Sequence, residues 1–204
     1  MTMVVLDRLA AGKILHQRRE SGNDRWDEVW DGVYMLMPNP NIEHQDIATA
    51  LSAVLWAVIG LPGRGKVYQG VNVSDRLDDW TKNYRCPDVA VYLEGNPAEA
   101  KGAFWYGGPD FAVEIVSPDD RARDKLGFYA AVGVRELLLL DRDPWTLELF
   151  RRQGPEWVLA GTSRPDQPEV LASEVVPLRF RLLPGDPRPL IEVTRADGSQ
   201  TWTV

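Results

Sequence analysis

Phe111-Ala112-Val113-Glu114-Ile115-Val116 is apolar at both sets of alternating positions, and Glu114 is its one charged residue. A second run, Glu136-Leu137-Leu138-Leu139-Leu140-Asp141, is apolar with charge only at its ends. That is the pattern of a strand covered on both faces. Between the two, residues 119–132 read as a helix with Leu126, Tyr129 and Ala130 along one side and Gly133 closing it. Ser117 suits the cap of that helix and Pro118 its first position. A strand–helix–strand unit over 111–140 demands a right-handed crossover within one sheet. The decisive stretch therefore predicts an α/β fold.

Upstream, 67–73 and 88–93 read as two more strands separated by turn-rich linkers. Ile47, Leu51, Val54, Leu55, Val58 and Ile59 follow helical spacing after Pro38-Asn39-Pro40-Asn41, and Gly60 and Pro62 stop that helix. Its other face is short of charge, which predicts little exposed surface. Gly60 to Lys66 superficially resembles a phosphate loop, but it follows a helix and reads as a connector. Trp26 to Trp30 and Val33 to Met37 read as a hairpin around Asp31-Gly32, a pair suited to a type I′ turn. Residues 2–19 read as a helix with an imperfect apolar stripe. Downstream, Leu147 to Phe150 pairs with Trp157 to Leu159, and the Pro-, Gly- and Arg-rich remainder holds one or two peripheral strands, such as Val175 to Leu183.

The chain has 204 residues, a length suited to one domain with at most a short appendage. Hydrophobic residues make up 44% and charged residues 26%, which excludes disordered, collagen-like and membrane classes. Ala50 to Leu61, the longest near-unbroken apolar stretch, falls short of the roughly 20 residues a bilayer span needs. With no secretory pattern at its start and one cysteine, Cys86, the chain is expected in the cytoplasm. Two histidines, His16 and His44, make a structural zinc site a poor expectation. A divalent metal would have to be held by oxygen, which points to magnesium or manganese. The net charge of -7 argues against a broad basic surface while leaving room for a local cationic groove. No Walker, dinucleotide-binding or GxSxG motif occurs.

Glu114 is the most informative residue, because an ionised carboxylate inside an apolar strand costs several kcal/mol unless a cation or strong donors compensate it. The bland reading is a buried ion pair with Lys125 or Arg121. Asp88 follows Pro87 at the start of a strand; alone it reads as a turn aspartate, but beside Glu114 two carboxylates would converge and favour a divalent cation between them. Lys125 reads alone as a solvated surface lysine, yet it shares a helix face with Tyr129 four residues on. Glu28 lies among tryptophans ahead of the Asp31-Gly32 turn, either exposed on its strand or part of a site. His44 stands in the first turn of the long helix, either as an exposed polar residue or as a neutral donor or acceptor.

Glu28-Val29-Trp30-Asp31-Gly32, Pro38-x-Pro with Glu43-His44, and Pro87-Asp88-Val89-Ala90-Val91 together resemble the Uma-type putative restriction endonucleases of the PD-(D/E)XK nuclease superfamily. The resemblance continues through Pro109 to Pro118, Asp124-Lys125-Leu126-Gly127-Phe128-Tyr129, Gly133-Val134 and the strand ending at Asp141, covering about residues 25–152. It implies a restriction-endonuclease-like α/β core, a mixed central sheet flanked by helices, in a single domain over 1–204 with peripheral strands at 157–204. It further implies that Asp88 and Glu114 bind magnesium or manganese and that Glu28 is an additional acid. Val116 stands where the superfamily has a lysine, and the resemblance moves that role to Lys125. His44, Arg121 and Tyr129 are the candidate substrate-binding residues. The function expected is magnesium-dependent hydrolysis of DNA phosphodiesters by a homodimer. The competing class is a silent nuclease-like scaffold for protein interaction or oligomerisation, which would cluster some of the eight tryptophans on the surface.

Overall fold

The computed structural model describes residues 3–4, 8–117 and 121–204. The chain runs β1 (Met3–Val4), α1 (Arg8–Ser21), β2 (Glu28–Trp30), β3 (Val33–Leu36), α2 (Ile42–Leu55), β4 (Gly65–Gln69), β5 (Val73–Ser74), β6 (Tyr84–Arg85) and β7 (Val89–Leu93). It continues β8 (Glu99–Ala100), β9 (Trp105–Tyr106), β10 (Phe111–Ile115), α3 (Leu126–Ala131), β11 (Glu136–Arg142), β12 (Trp145–Gln153) and β13 (Glu156–Ser163). It closes with β14 (Leu171–Ala172), β15 (Leu178–Leu183), β16 (Leu190–Arg195) and β17 (Thr201–Thr203).

Among the described residues the strands form three sheets. The central one has six strands in the order β13-β12-β11-β10-β7-β4. It is mixed: β10 and β11 run parallel, in register from Phe111↔Glu136 to Ile115↔Leu140, and the other neighbours run antiparallel. This is the strand–helix–strand unit that the sequence predicts. Its helical part is shorter than expected. A 3₁₀ turn over Ala122–Lys125 runs into α3, and neither is capped by a side chain. Gly133, at φ 94, follows the helix in the left-handed conformation that ends many helices. Pro118, Asp119 and Asp120, where the sequence reading starts the helix, lie outside the described residues.

Side chains alternate across a strand, so each face of the central sheet has its own set. Val89, Val91, Phe111, Val113, Ile115, Leu138 and Leu140 pack with Ile47, Leu51 and Leu55 of α2 and with the second, four-stranded sheet β14-β15-β16-β17. Ala112 and Leu137 face the other way, onto Phe128 and Tyr129 of α3. The central sheet is thus flanked by a helix on each face, and alternation puts Glu114 on the α3 side with Ala112.

Further expectations need correction. Residues 2–19 are not one helix: Met3–Val4 form a strand and the helix runs from Arg8 to Ser21. The helix α2 is not covered all round: Ile42, Asp46, Thr49 and Ala53 are exposed, as is Trp56 just after it. A helix lying on one sheet has one face to bury, and a stripe without charge does not change that. The run 67–73 is not one strand, because Gly70, at φ 64, breaks it and sends Val73–Ser74 into the third sheet, β1-β3-β2-β6-β5-β9-β8. The carboxy-terminal strands are more numerous than predicted, and Leu178, Phe180, Leu182, Ile191 and Val193 belong to the main core. The alternation Leu178-Arg179-Phe180-Arg181-Leu182 carries that signal. The β2–β3 hairpin forms as read, with Asp31 at φ 47 and Gly32 at φ 84.

The second sheet is pinned by Glu136, which is fully buried at the start of β11. Its carboxylate accepts from Arg151 Nε at 2.8 Å, from the Ser173 hydroxyl, and from the Glu174 backbone N–H at 3.0 Å. Glu136→Ala leaves the partly buried Ser173 hydroxyl and the Glu174 backbone N–H without this acceptor. We expect a loss of about 1–3 kcal/mol, read as a lower urea midpoint at unchanged slope; an unshifted midpoint would remove this carboxylate from the connection between the sheets.

Candidate active site

Asp88 lies one residue before β7, and extending the Val113↔Val89 register puts it opposite Glu114. Side chains directly opposed on an antiparallel pair lie on one face, roughly 4.5–5.5 Å apart at Cβ. The sequence therefore meets its own requirement: the two acids share one side of the sheet. Asp88 Oδ2 accepts the Ile115 backbone N–H at 2.7 Å, and its Oδ1 lies 3.2 Å from His44 Nε2. His44 is set by the start of α2, where Asn41 Oδ1 caps the helix by accepting the His44 backbone N–H at 2.9 Å.

Glu114 is 3% exposed, and the Lys125 ammonium donates to both its oxygens, at 3.2 and 3.1 Å. The Tyr129 hydroxyl donates to Oε1 of the same carboxylate. Lys125 and Tyr129 do share a face, as their spacing implies, and that face lies against β10. The same ammonium sits 2.9 Å from Glu28 Oε1. Glu28 is fixed in turn by the Cys86 backbone N–H, 2.9 Å from Oε1, and by the Trp30 indole N–H, 2.7 Å from Oε2. The β2–β3 hairpin thus delivers an acid to a site made mainly by another sheet.

Burial decides between the paired readings of these residues. Glu28, His44 and Lys125 are buried at 1%, 6% and 4% exposure, so the exposed-strand, exposed-turn and surface-lysine readings all fail. The bland reading of Glu114 is realised in its Lys125 form, and the partner is the lysine the nuclease resemblance assigns to the site. Arg121 pairs with Asp124 at 2.6 Å, lies 5.3 Å from the Trp30 ring and is not part of the cleft lining.

Glu28, Asp88, Glu114, Lys125 and His44 line one narrow cleft. Three acids there face one ammonium. Burial pushes Glu114 up to about 8; Asp88 and Glu28 add to the rise, while Lys125 and the Tyr129 hydrogen bond oppose it. Tyr129 is held well above its ordinary value, first by burial and then by the charge of Glu114. Burial likewise raises the Cys86 thiol, which leaves it unreactive beside the site.

Among the described residues no three His, Cys, Asp or Glu side chains form a metal-binding group. A pair of carboxylates is nevertheless the protein share that magnesium takes, since it keeps several waters and accepts substrate phosphate. The donor set at Asp88 and Glu114 is all oxygen and fits such an ion. The sequence reading overlooked the anchors: the Cys86 backbone and the Trp30 indole that hold Glu28, and Trp26, Met37, Pro38 and Pro40, which share the cleft lining. The Pro-x-Pro spacing beside His44 was the available signal for the last group.

The fold is mixed α/β, with a cleft where three acids meet one lysine. Residues 15–193 match the model of the Uma2 family, described as "Putative restriction endonuclease", and the chain belongs to that family. A solved structure from Anabaena variabilis, described as "a putative nuclease belonging to DUF820", superposes with a TM-score of 0.53 at 21% identity, over 65% of this chain and 75% of that one. A search of the curated proteins finds no match.

The raised Glu114 has a consequence for stability. The folded state keeps a proton on this acid at pH values where the unfolded chain, with its carboxyl near 4.5, has lost it. The stabilising contribution is therefore fully present below about 4.5 and disappears as pH rises through about 8. In chelator, wild type should lose stability relative to Glu114→Gln between pH 5 and pH 8. Urea melts at both ends check this, and parallel slopes would contradict it.

Proposed function

We propose that this chain is a nuclease that hydrolyses DNA phosphodiesters with magnesium or manganese. The observation that supports it is the cleft in which Glu114, set in the middle of a buried sheet, and Glu28 share one ammonium while Asp88 stands opposite. Asp88 and Glu114 would hold the ion. When bound, a divalent cation neutralises charge on a phosphate oxygen and makes water a stronger nucleophile.

The chain's own residues supply the rest. Lys125, held by two carboxylates, keeps its ammonium at a fixed place, where it orients the attacking water or stabilises the charge that develops on phosphorus oxygens. Glu28 fixes Lys125 and is a candidate proton acceptor. Tyr129 holds the Glu114 carboxylate in orientation, and the pairing of His44 with Asp88 does the same on the other strand. Of the three residues expected to meet substrate, His44 lines the cleft, whereas Tyr129 is fully buried behind Glu114 and Arg121 lies outside the lining. We extend the proposal to a single domain over 1–204 and a homodimer, on the family resemblance, and to a cytoplasmic location, on the sequence pattern and cysteine count. No helix among the described residues is long and apolar enough to cross a membrane.

The scaffold alternative keeps one exposed tryptophan, Trp56, and half-buried Trp26. Against it, Trp105 stacks on Tyr92 at 3.9 Å, Trp80 stacks on Phe104 at 4.7 Å and Trp30 binds Glu28. Incubation of linear and supercoiled DNA with magnesium or manganese tests the proposal. Asp88→Ala, Glu114→Ala and Lys125→Ala should each lower the rate at least about 100-fold, and Tyr129→Phe about 10–100-fold. Cleavage that persists unchanged in Asp88→Ala and Glu114→Ala defeats it, as does the absence of any heat on titration with millimolar magnesium.

A further inference from the structure

We propose that the cleft takes an unpaired nucleic-acid strand in preference to a duplex, with a base stacked on Trp26; this rests on the nuclease reading above and narrows its substrate. The first argument is electrostatic. Proteins that grip duplex DNA neutralise several phosphates with lysine and arginine. Here the cations near the cleft, Arg25 apart, already have acid partners. Lys125 is between Glu28 and Glu114, Arg18 is 2.6 Å from Asp27, Arg121 is 2.6 Å from Asp124 and Arg142 is 2.9 Å from Glu43. With a net charge of -7, the protein adds no broad field to offset this.

The second argument is the lining. Trp26, Met37, Pro38 and Pro40 bring an apolar, partly aromatic surface to the same cleft as the acids. Trp26 is half-buried, and its six-membered ring lies against Gly70, where a Cβ would fall 2.3 Å from the ring. Glycine at this left-handed position, φ 64, lets the indole seat against the backbone and fixes it. The exposed Arg25 guanidinium lies 4.9 Å from the Trp26 ring centre and has no acid partner among the described residues. A seated indole beside an available cation is the pairing by which proteins hold single strands: bases stack, and the cation meets the backbone.

The test is binding by fluorescence anisotropy of the whole chain in chelator, with a labelled DNA oligonucleotide, the RNA of the same sequence, and the DNA duplex. At least one single strand should bind tenfold or more tightly than the duplex, and the two single-strand arms tell DNA from RNA. Trp26→Ala should weaken that strand's binding by five- to 150-fold, the equivalent of about 1–3 kcal/mol for one stacked base, while Trp26→Phe keeps most of it. Equal or tighter duplex binding overturns the inference, as does wild-type affinity in Trp26→Ala. A parallel digestion with magnesium or manganese separates the two claims. Duplex cleavage as fast as single-strand cleavage sinks the strand preference alone. Single-strand binding with no hydrolysis sinks the nuclease reading alone.

Discussion

The contact on which the site depends is the clasp of Lys125 between Glu114 and Glu28. Each carboxylate is almost wholly withdrawn from water, and neither has enough neutral donors to carry its charge alone. One ammonium between two acids lowers the cost for both, but it leaves the cluster short of positive charge once Asp88 is counted. The clasp also joins three parts of the chain: the middle of β10, the 3₁₀ turn after it and the first hairpin. The hairpin belongs to a different sheet, so the geometry of the acids is a property of how two sheets meet.

Glu136 is the internal control for this argument. It is buried in the strand that pairs with β10, and its own partners are a guanidinium, a hydroxyl and a backbone N–H. That set satisfies the carboxylate and ties it to the carboxy-terminal sheet, and the second acid on Arg151, Glu174 at 3.0 Å, is exposed to water. Glu114 sits among buried acids instead. It shares its cation, faces another acid across the strand pair, lines a cleft and is pushed toward its protonated form. Burial alone does not mark a functional glutamate; burial with too little compensation does.

Much of this was legible in the sequence because the relevant patterns are local. Alternation in 111–116 and 136–141 specifies strands covered on both faces, and Asp31-Gly32 specifies a turn. The pairing of Asp88 with Glu114 follows once the two strands are neighbours. Lys125 is where local reading fails. A lysine at the edge of a short helix has no sequence mark that separates a surface position from a buried one, and only its contact with Glu28, nearly a hundred residues away, settles it. The family resemblance assigned it where spacing could not. The second sheet was under-read for a related reason: proline, glycine and arginine suggest a periphery, yet the arginines of β15 alternate with leucine and phenylalanine that enter the core.

The acidic character of the chain follows from the same accounting. Arginines near the cleft are spent on neighbouring aspartates and glutamates, so they fix Asp27, Glu43 and Asp124 in place and contribute little field beyond a Debye length of about 8–10 Å. The first hairpin, the cap of α2 and the turn before α3 are each held by one of these pairs. Rigid acids at fixed positions are what a carboxylate site needs, and preorganisation of charge stabilises a transition state more effectively than long-range attraction. The arrangement gives up reach for precision: binding must come from contact inside the cleft, and there the apolar lining is an indole, two prolines and a methionine beside the acids.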